Sequence, residues 1–412
     1  MKIAIYWEQI SWGGTDTHLL SLLSDWPDKN DEFVIIYNKG NKGFARIYPK
    51  LRQLSNVVFV ETASYFQHPL LRNKTANKIV CLIGYIFRPL LFLLMVYRLR
   101  SVISKAGLFD VLISNNGGYP AAWGCLCAIV AAAKIGIPVR VLIVHHAATR
   151  FGVFMGWFEQ VVDRAVSKVA SAIICVSHAT RETIIERRCL ADNEQLFIKV
   201  IHNGIRSAKV DKGNKATLTL RKNIGLSPDA ILVGIVGRVE PYKGHEDIIL
   251  AMSRLDLVHM PKFHLIIIGD GEVEEIERLK RLARAIGVSE HIHFTGYIAE
   301  EITEFISDMD LLIVATRTFE GFGLTLAEAM QVGIPVLTTR VGAIPEFVNE
   351  EVGKLVNPGD PDEIAIALND FLENRPTWKL RSELAREHIK EFNSQSMAAK
   401  YRRLLVGGLA SH

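Results

Sequence analysis

The chain has 412 residues, 49% of them hydrophobic and 22% charged, with a formal net charge of +4. This balance excludes a disordered protein and leaves room for two domains, each with its own core. Residues 1–205 carry 23 basic and 14 acidic side chains and the remainder 25 and 30, so the first half is basic without any motif that would point to nucleic acid. The five cysteines (Cys81, Cys125, Cys127, Cys175 and Cys189) are odd in number and form no C-x-x-C pair, the usage of buried free thiols in a reducing compartment.

The start, over 2–7, reads as a buried strand and not as a signal peptide, which places the chain in the cytoplasm. A loop holding Gly13, Gly14 and His18 follows, then an apolar helix pattern. The pair is not a G-x-G-x-x-G fingerprint; it is a tight strand-to-helix turn or a place where backbone comes close to a ligand. Strands are expected over 32–37 and 57–61, with the basic run Lys39, Lys42, Arg46, Lys50 and Arg52 between them. That run is a solvated face or a patch for a phosphorylated acceptor. Residues 78–97 are strongly apolar and nearly long enough to span a bilayer, but Arg88 and Pro89 interrupt their centre. A kinked helix is expected there, either packed inside or lying against the inner face of the membrane, with cations on both flanks. A strand over 111–114, a helix over 121–133 and a strand over 139–144 ending in His145-His146 come next. Ligands of open parallel sheets gather at such strand ends, and successive side chains point opposite ways, so one of the two histidines is the candidate and a shared metal is not. A helix over 156–170 and strands over 172–176 and 199–201 complete this half, and a linker is expected over 204–230.

In the second half an apolar strand over 230–236 runs into Gly237-Arg238 and then Lys243-Gly244. A strand end with two cations five residues apart suits a pyrophosphate, with Arg as a planar fork and Lys as a point charge. Helices over 247–254 and 274–286 alternate with strands over 264–268 and 291–294. A strand over 311–315 then enters a loop with Glu320, Gly321, Phe322 and Gly323, followed by a short helix carrying Glu328 and a strand over 335–338. A glycine loop feeding a helix start directs unpaired N–H groups and the helix dipole at one spot, which favours phosphate. Two carboxylates beside an anion site fit hydroxyl groups better than phosphate, so phosphate and hydroxyls together suggest a sugar nucleotide. The end of the chain reads as a helix over 361–373 and a long one over 379–405.

Glu320-Gly-Phe-Gly, Glu328-Ala-Met, Gly333-Ile-Pro-Val, Gly342-x-x-x-Glu346 and the Gly237-Arg238…Lys243-Gly244 signature together resemble the nucleotide-sugar site of family 4 glycosyltransferases, a large retaining group. The resemblance implies a GT-B fold: two Rossmann-like α/β domains with parallel sheets facing a deep interdomain cleft. Its parts would be an acceptor-binding domain over 1–205, a nucleotide-sugar-binding domain over 206–378, and a C-terminal helix over 379–412 packing back on the first domain. It implies transfer of a sugar, with retention, from a nucleotide-diphosphate sugar to a hydroxyl of a glycan or lipid-linked acceptor. Bacterial cell-surface polysaccharide or lipopolysaccharide synthesis is the setting, with peripheral contact at the cytoplasmic face of the membrane. By the same resemblance Arg238, Lys243 and the N–H groups of Gly323 and Leu324 stabilise the leaving diphosphate, and Glu320 binds the donor sugar. Glu328 holds the ribose, Gly13 and Gly14 lie near the donor phosphates, and His145, with His146 in reserve, orients the sugar. No metal or other cofactor is expected, and domain closure would exclude water. A nucleotide-sugar 2-epimerase on the same fold and a non-catalytic sugar-binding protein are the alternatives. The donor nucleotide, the acceptor and the linkage are not written in these motifs.

Overall fold

Short runs of Val, Ile and Leu covered on both faces build two parallel sheets, which is why the strands read as continuous apolar stretches and not as alternating ones. The computed structural model describes residues 1–9, 13–67, 85–207, 219–257, 259, 262–298 and 302–408. These divide into two units, one of residues 1–204 and 394–412 and the other of residues 205–393.

In the first unit β1 (Lys2–Trp7), β2 (Glu32–Asn38), β3 (Val57–Thr62), β4 (Val111–Asn116), β5 (Val139–Val144), β6 (Ala172–Cys175) and β7 (Phe197–Val200) lie in the order β3-β2-β1-β4-β5-β6-β7. Every neighbouring pair is parallel. The connecting helices are α1 (Gly14–Ser24), α2 (Phe44–Leu51), α3 (Arg88–Ala106), α4 (Trp123–Lys134), α5 (Gly156–Val169) and α6 (His178–Arg187). In the second unit the order is β10-β9-β8-β11-β12-β13. It comprises β8 (Ile231–Val236), α7 (His245–Met252), β9 (Phe263–Ile268), α8 (Val273–Ala285), β10 (Ile292–Gly296), β11 (Leu311–Val314), α9 (Leu324–Val332), β12 (Val336–Thr339), β13 (Lys354–Val356), α10 (Pro361–Glu373) and α11 (Arg375–His388). Both units are Rossmann-like, as the alternation of strand and helix patterns predicts. Each fully buried Leu or Ile of these cores stabilises its unit by roughly 1.5–3 kcal/mol.

Two expectations are corrected, the single long helix over 379–405 and the return to the first unit at residue 379. Tyr85 and Ile86 are helical, Phe87 is a turn, and α3 starts at Arg88 with Pro89 in its first turn, so among the described residues the helical stretch placed over 78–97 is interrupted at the proline, where a kink was expected. Residues 78–84 lie outside the described residues, as does Cys81. The basic run over 39–52 contains a helix, α2, whose Phe44 ring stacks on Tyr37 at 4.0 Å. The long helix over 379–405 is two helices: α11 ends at His388, a 3-10 turn follows, and Asn393 is extended. Asn393 then pairs with Ile205 in a parallel bridge, so the entry and exit strands of the second unit lie side by side. The return to the first unit therefore falls after Asn393, with α12 (Ser394–Arg403), and not at residue 379. Within the first unit Ser394 bonds Asp25, and Arg402 donates to Asp31 at 2.8 Å. The linker expected over 204–230 is described only to residue 207 and from 219, where Arg221 already binds the Asp308 and Asp310 carboxylates.

Cys125, Cys127 and Cys175 are buried and free, and burial pushes the Cys175 thiol up to about 12. Cys189 is only half-buried. No described helix is long and apolar enough to cross a membrane.

Candidate active site

The loop after β11 and the loop after β8 meet at the carboxyl end of the second sheet. Lys243 Nζ donates to Glu320 Oε2 at 2.7 Å, and Thr316 Oγ1 donates to the same oxygen at 3.0 Å. Both charged side chains keep about a fifth of their surface exposed, 21% for Lys243 and 17% for Glu320. They line a small cavity together with Gly237, His245, Thr316 and Thr325. One cation and one carboxylate that the resemblance assigns to different parts of a ligand thus pair with each other.

Two glycines make this approach sterically feasible. Gly244 is left-handed at φ 74°, and a Cβ there would stand 1.9 Å from the Ala315 carbonyl oxygen, so only glycine lets the Lys243 loop close on the end of β11. Gly342, at φ 54°, backs the other side: a Cβ would stand 2.2 Å from the Glu320 carbonyl oxygen, which accepts from Ala343 N at 2.9 Å. The conformation of the Glu320 backbone is therefore held from behind by the Gly342 turn.

Gly323 caps α9 with no side-chain acceptor of its own, and Leu324 opens the helix. First-turn N–H groups have no acceptor inside a helix, so this end presents donors and positive potential beside Glu320. Glu328 lies one turn further along α9 and is half-buried. Arg238 is half exposed; its guanidinium donates to Glu240 at 2.8 Å and to Tyr242 OH at 3.3 Å. The neighbouring strand-end loops are joined by backbone bonds: Val239 N donates to Asp270 O at 2.8 Å and Gly269 N to Gly296 O at 2.9 Å.

Residues outside the sequence reading complete this end. Arg317 clamps Asp247 through Nε at 2.7 Å and Nη2 at 2.6 Å, and its own N–H donates to Tyr242 O at 2.7 Å. It ties the Glu320 loop to α7, and the acidic first turn of α7, Glu246-Asp247, was the one sequence signal for it. His245 is buried, which lowers it to about 4, and Lys243 adds to that shift.

The first unit places His145 at the end of β5, buried, with His146 exposed. His145 Nε2 lies 2.7 Å from Asn115 Oδ1, and Asn115 Nδ2 donates to Thr15 O at 3.2 Å. With that amide orientation the imidazole carries its proton on Nε2, and Nδ1 has no partner among the described residues. The His18 ring meets His145 edge-on at 4.5 Å and Tyr401 of α12 at 5.7 Å. Gly13 is extended, a conformation open to any residue, and a Cβ there would meet only Gln9 Nε2 at 3.9 Å, so neither strain nor crowding requires the glycine. Its N–H donates to Asp16 Oδ2 at 2.7 Å and Trp7 Nε1 donates to Oδ1 at 3.0 Å, while burial raises the Asp16 carboxyl to about 7. Gly14 is the first residue of α1.

Burial holds both histidines neutral: His18 falls to about 3, and His145 lies well below its ordinary range with His18 adding to the effect. A histidine lowered from about 6.5 in the unfolded chain contributes stability that is complete above that pH and is lost as pH falls toward its folded value. His18→Leu should therefore lose about 2–3 kcal/mol less than the wild type between pH 6.5 and 4.5, two units below the unfolded value. Asp16 titrates with the opposite sign and cancels in the comparison. Denaturant midpoints at the two pH values measure it, and an equal loss in both proteins would show that His18 does not charge on unfolding.

Comparison with known proteins agrees with this arrangement. A family model described as Glycosyltransferase Family 4 matches residues 12–209, and one described as Glycosyl transferases group 1 matches residues 217–391. An uncharacterized glycosyltransferase of Methanocaldococcus jannaschii is 28% identical over 222 residues, 53% of this chain and 54% of that protein. The D-inositol 3-phosphate glycosyltransferase of Acidothermus cellulolyticus is 30% identical over 234 residues, 54% of this chain and 51% of that protein. The aligned region thus spans about half the length of these curated relatives. Among solved structures, HepE of Anabaena in complex with UDP and glucose superposes with a TM-score of 0.76 at 20% identity, covering 99% of this chain and 100% of that one. Two Rossmann-like units, each matched by its own family model and superposing end to end on such a structure, show that the chain belongs to the group 1 glycosyltransferases of GT-B fold.

Proposed function

We propose that the protein transfers a sugar, with retention of anomeric configuration, from a nucleoside diphosphate sugar to a hydroxyl of a glycan or lipid-linked acceptor in bacterial surface-polysaccharide assembly. The observation that carries this reading is the Lys243–Glu320 pair set against the start of α9. A diphosphate taking Lys243 as its counter-ion leaves the Glu320 carboxylate to the sugar hydroxyls. The first-turn N–H groups at Gly323 and Leu324, with Arg238, then stabilise the charge that grows on the leaving diphosphate. Glu328 is assigned to the ribose. His145, neutral and with Nδ1 open, is assigned to the donor sugar, and Gly13 and Gly14 to the donor phosphates. Cations of the chain supply the charge neutralisation, so no metal is invoked. The structural neighbour HepE was crystallised with UDP-glucose, which supports a nucleoside diphosphate sugar as the donor class.

The test needs no acceptor. Slow release of nucleoside diphosphate is measured across UDP-, GDP- and ADP-sugars, and one class should be consumed far faster than the others. No release from any of them, with no calorimetric binding, would end the proposal. Arg238→Ala should weaken nucleoside diphosphate binding by about 10–100-fold, the loss of a charge-assisted contact worth roughly 1.5–3 kcal/mol. Calorimetry giving unchanged affinity would remove Arg238 from the phosphate site.

A further inference from the structure

Three histidines of the second unit gather on one face of its sheet edge. On β9, Phe263, Leu265 and Ile267 belong to the core, and successive side chains of a strand alternate, so His264 stands on the opposite face. On β10, Ile292 and Phe294 face the same core, which sets His293 opposite it, and His291 falls in line two residues earlier. Ile292 pairs with Leu265, so His264 and His293 meet diagonally across the two strands. All three rings are half-buried, and among the described residues none of them bonds a carboxylate.

Their spacing is that of a ligand set. His293 Nε2 lies 3.2 Å from His264 Nδ1, and the two ring centres are 5.2 Å apart. Two imidazoles on one tetrahedral zinc ion, with bonds of about 2.0–2.1 Å, hold their nitrogens about 3.3 Å apart and their ring centres about 5 Å apart. A lone pair at that spacing is equally a neutral hydrogen bond; the third ring favours the metal. The His291 ring centre is 5.5 Å from that of His264, and His291 Nδ1 donates to Phe263 O at 2.8 Å. A carbonyl only accepts, so this bond fixes the His291 proton on Nδ1 and leaves the Nε2 lone pair for another partner. Metal-bound histidines carry this same second bond. Donors that are all nitrogen suit zinc, cobalt or nickel, whereas magnesium and calcium take oxygen.

The place in the sheet gives such an ion a use. β10 is an edge strand, paired only with β9, and that pairing slips between Phe294 and Gly296. The two strands are joined through α8, and a metal clip that closes so long a connection removes entropy from the unfolded chain. We propose that His264 and His293, with His291 Nε2 drawn in as a third donor, bind a divalent transition-metal ion of the zinc class that staples β10 to β9. These histidines lie at the amino ends of the two strands, whereas Lys243 and Glu320 lie at the carboxyl end of the sheet. The site is therefore separate from sugar transfer and needs no part of the glycosyltransferase reading.

The experiment is calorimetric titration of zinc chloride into the full, untagged chain after stripping with EDTA. Wild type should bind zinc, and His264→Gln combined with His293→Gln should lose one equivalent. His291→Gln should weaken binding by about 10–100-fold. Zinc at about a hundred times its Kd should raise the thermal midpoint of wild type by about 5–10 °C and leave the double variant where it was. Amide exchange over residues 292–295 should slow when zinc is added. Equal unfolding midpoints in EDTA confirm that the variants fold. If the double variant does not fold, imidazole resonances of the wild type carry the test, since zinc should shift those of His264, His291 and His293. No zinc bound by wild type, or shifts confined to other histidines, would overturn the proposal. So would full zinc binding by the double variant, which would place the ion elsewhere, for instance at His178 and His202 of the first unit, whose rings are 5.6 Å apart. Zinc bound at the three histidines with unchanged exchange in β10 would overturn the staple.

Discussion

Glu320→Gln should lower the rate constant of sugar transfer by about 10²–10³-fold, the usual scale for removing one preorganised electrostatic group from a reacting centre. The amide keeps the size of the side chain and its acceptor oxygen for Thr316 Oγ1, so the Gly342-backed loop has no reason to move. What is lost is the negative charge. That charge is paired with Lys243 at 2.7 Å; in the proposed reading a diphosphate takes Lys243 and leaves the charge to the sugar. The same substitution frees Lys243 from its partner, so affinity for nucleoside diphosphate should hold or rise while transfer collapses. Lys243→Ala should give the converse, a loss in diphosphate affinity together with a carboxylate left unpaired. Single-turnover rates and calorimetry on both variants separate the two roles. A Glu320→Gln enzyme with the wild-type rate would take Glu320 out of the chemistry.

Arg188→Ala should destabilise the first unit by about 3–5 kcal/mol, the cost of stripping the partner from buried charges. Arg188 and Asp163 have no exposed side-chain surface. The guanidinium holds Asp163 with two bonds of 2.9 Å and Glu159 with a third of 2.9 Å, and its Cζ lies 4.2 Å from the centre of the Phe151 ring. Tyr119 OH also donates to Asp163 at 2.9 Å. Without Arg188 two buried carboxylates remain, Asp163 with the Tyr119 hydroxyl and Cys189 N as donors. Lysine is no substitute, because a single ammonium cannot form the planar two-bond fork. The expected fall in thermal midpoint is about 6–20 °C for a unit of this size. A midpoint within a degree or two of wild type would mean that water reaches the carboxylates and the network carries little. Arg188 Nη1 also donates to Thr149 O at 3.3 Å, so the same substitution should loosen the loop that carries Val153 and Phe154.

Several features of the chain follow from local pattern alone. Strands such as β5 and helices such as α10 are legible because an apolar run bounded by turn residues, or an apolar period after a capping Asp-Pro, has one low-energy outcome wherever it sits. The strand-end loops follow for the same reason: glycines with a neighbouring Arg or Lys mark where a parallel sheet presents its carboxyl edge. Arg238, Lys243, Glu320, Gly323, Leu324 and Glu328 could therefore be picked out before any coordinates, and with them the family. Other elements were not legible. α2 contains Pro49 and is only eight residues long, and β13 is three residues long; both form because their neighbours bury them. The break between α11 and α12 lies in a sequence that could continue as helix, and it is set by Asn393 pairing with Ile205, far away in the chain.

Amino-acid sequence by itself determined the two α/β halves, the family and the residue types of the candidate site. Tertiary structure alone decided that Lys243 binds Glu320, that Arg317 ties the Glu320 loop to α7, and that the His18 ring meets both His145 and Tyr401. The physical reason is the range of the forces involved. Periodicity, caps and turns act over a few residues and are written locally. Ion pairs, buried imidazoles and exposed faces depend on which strand ends and helix starts the sheet order makes neighbours.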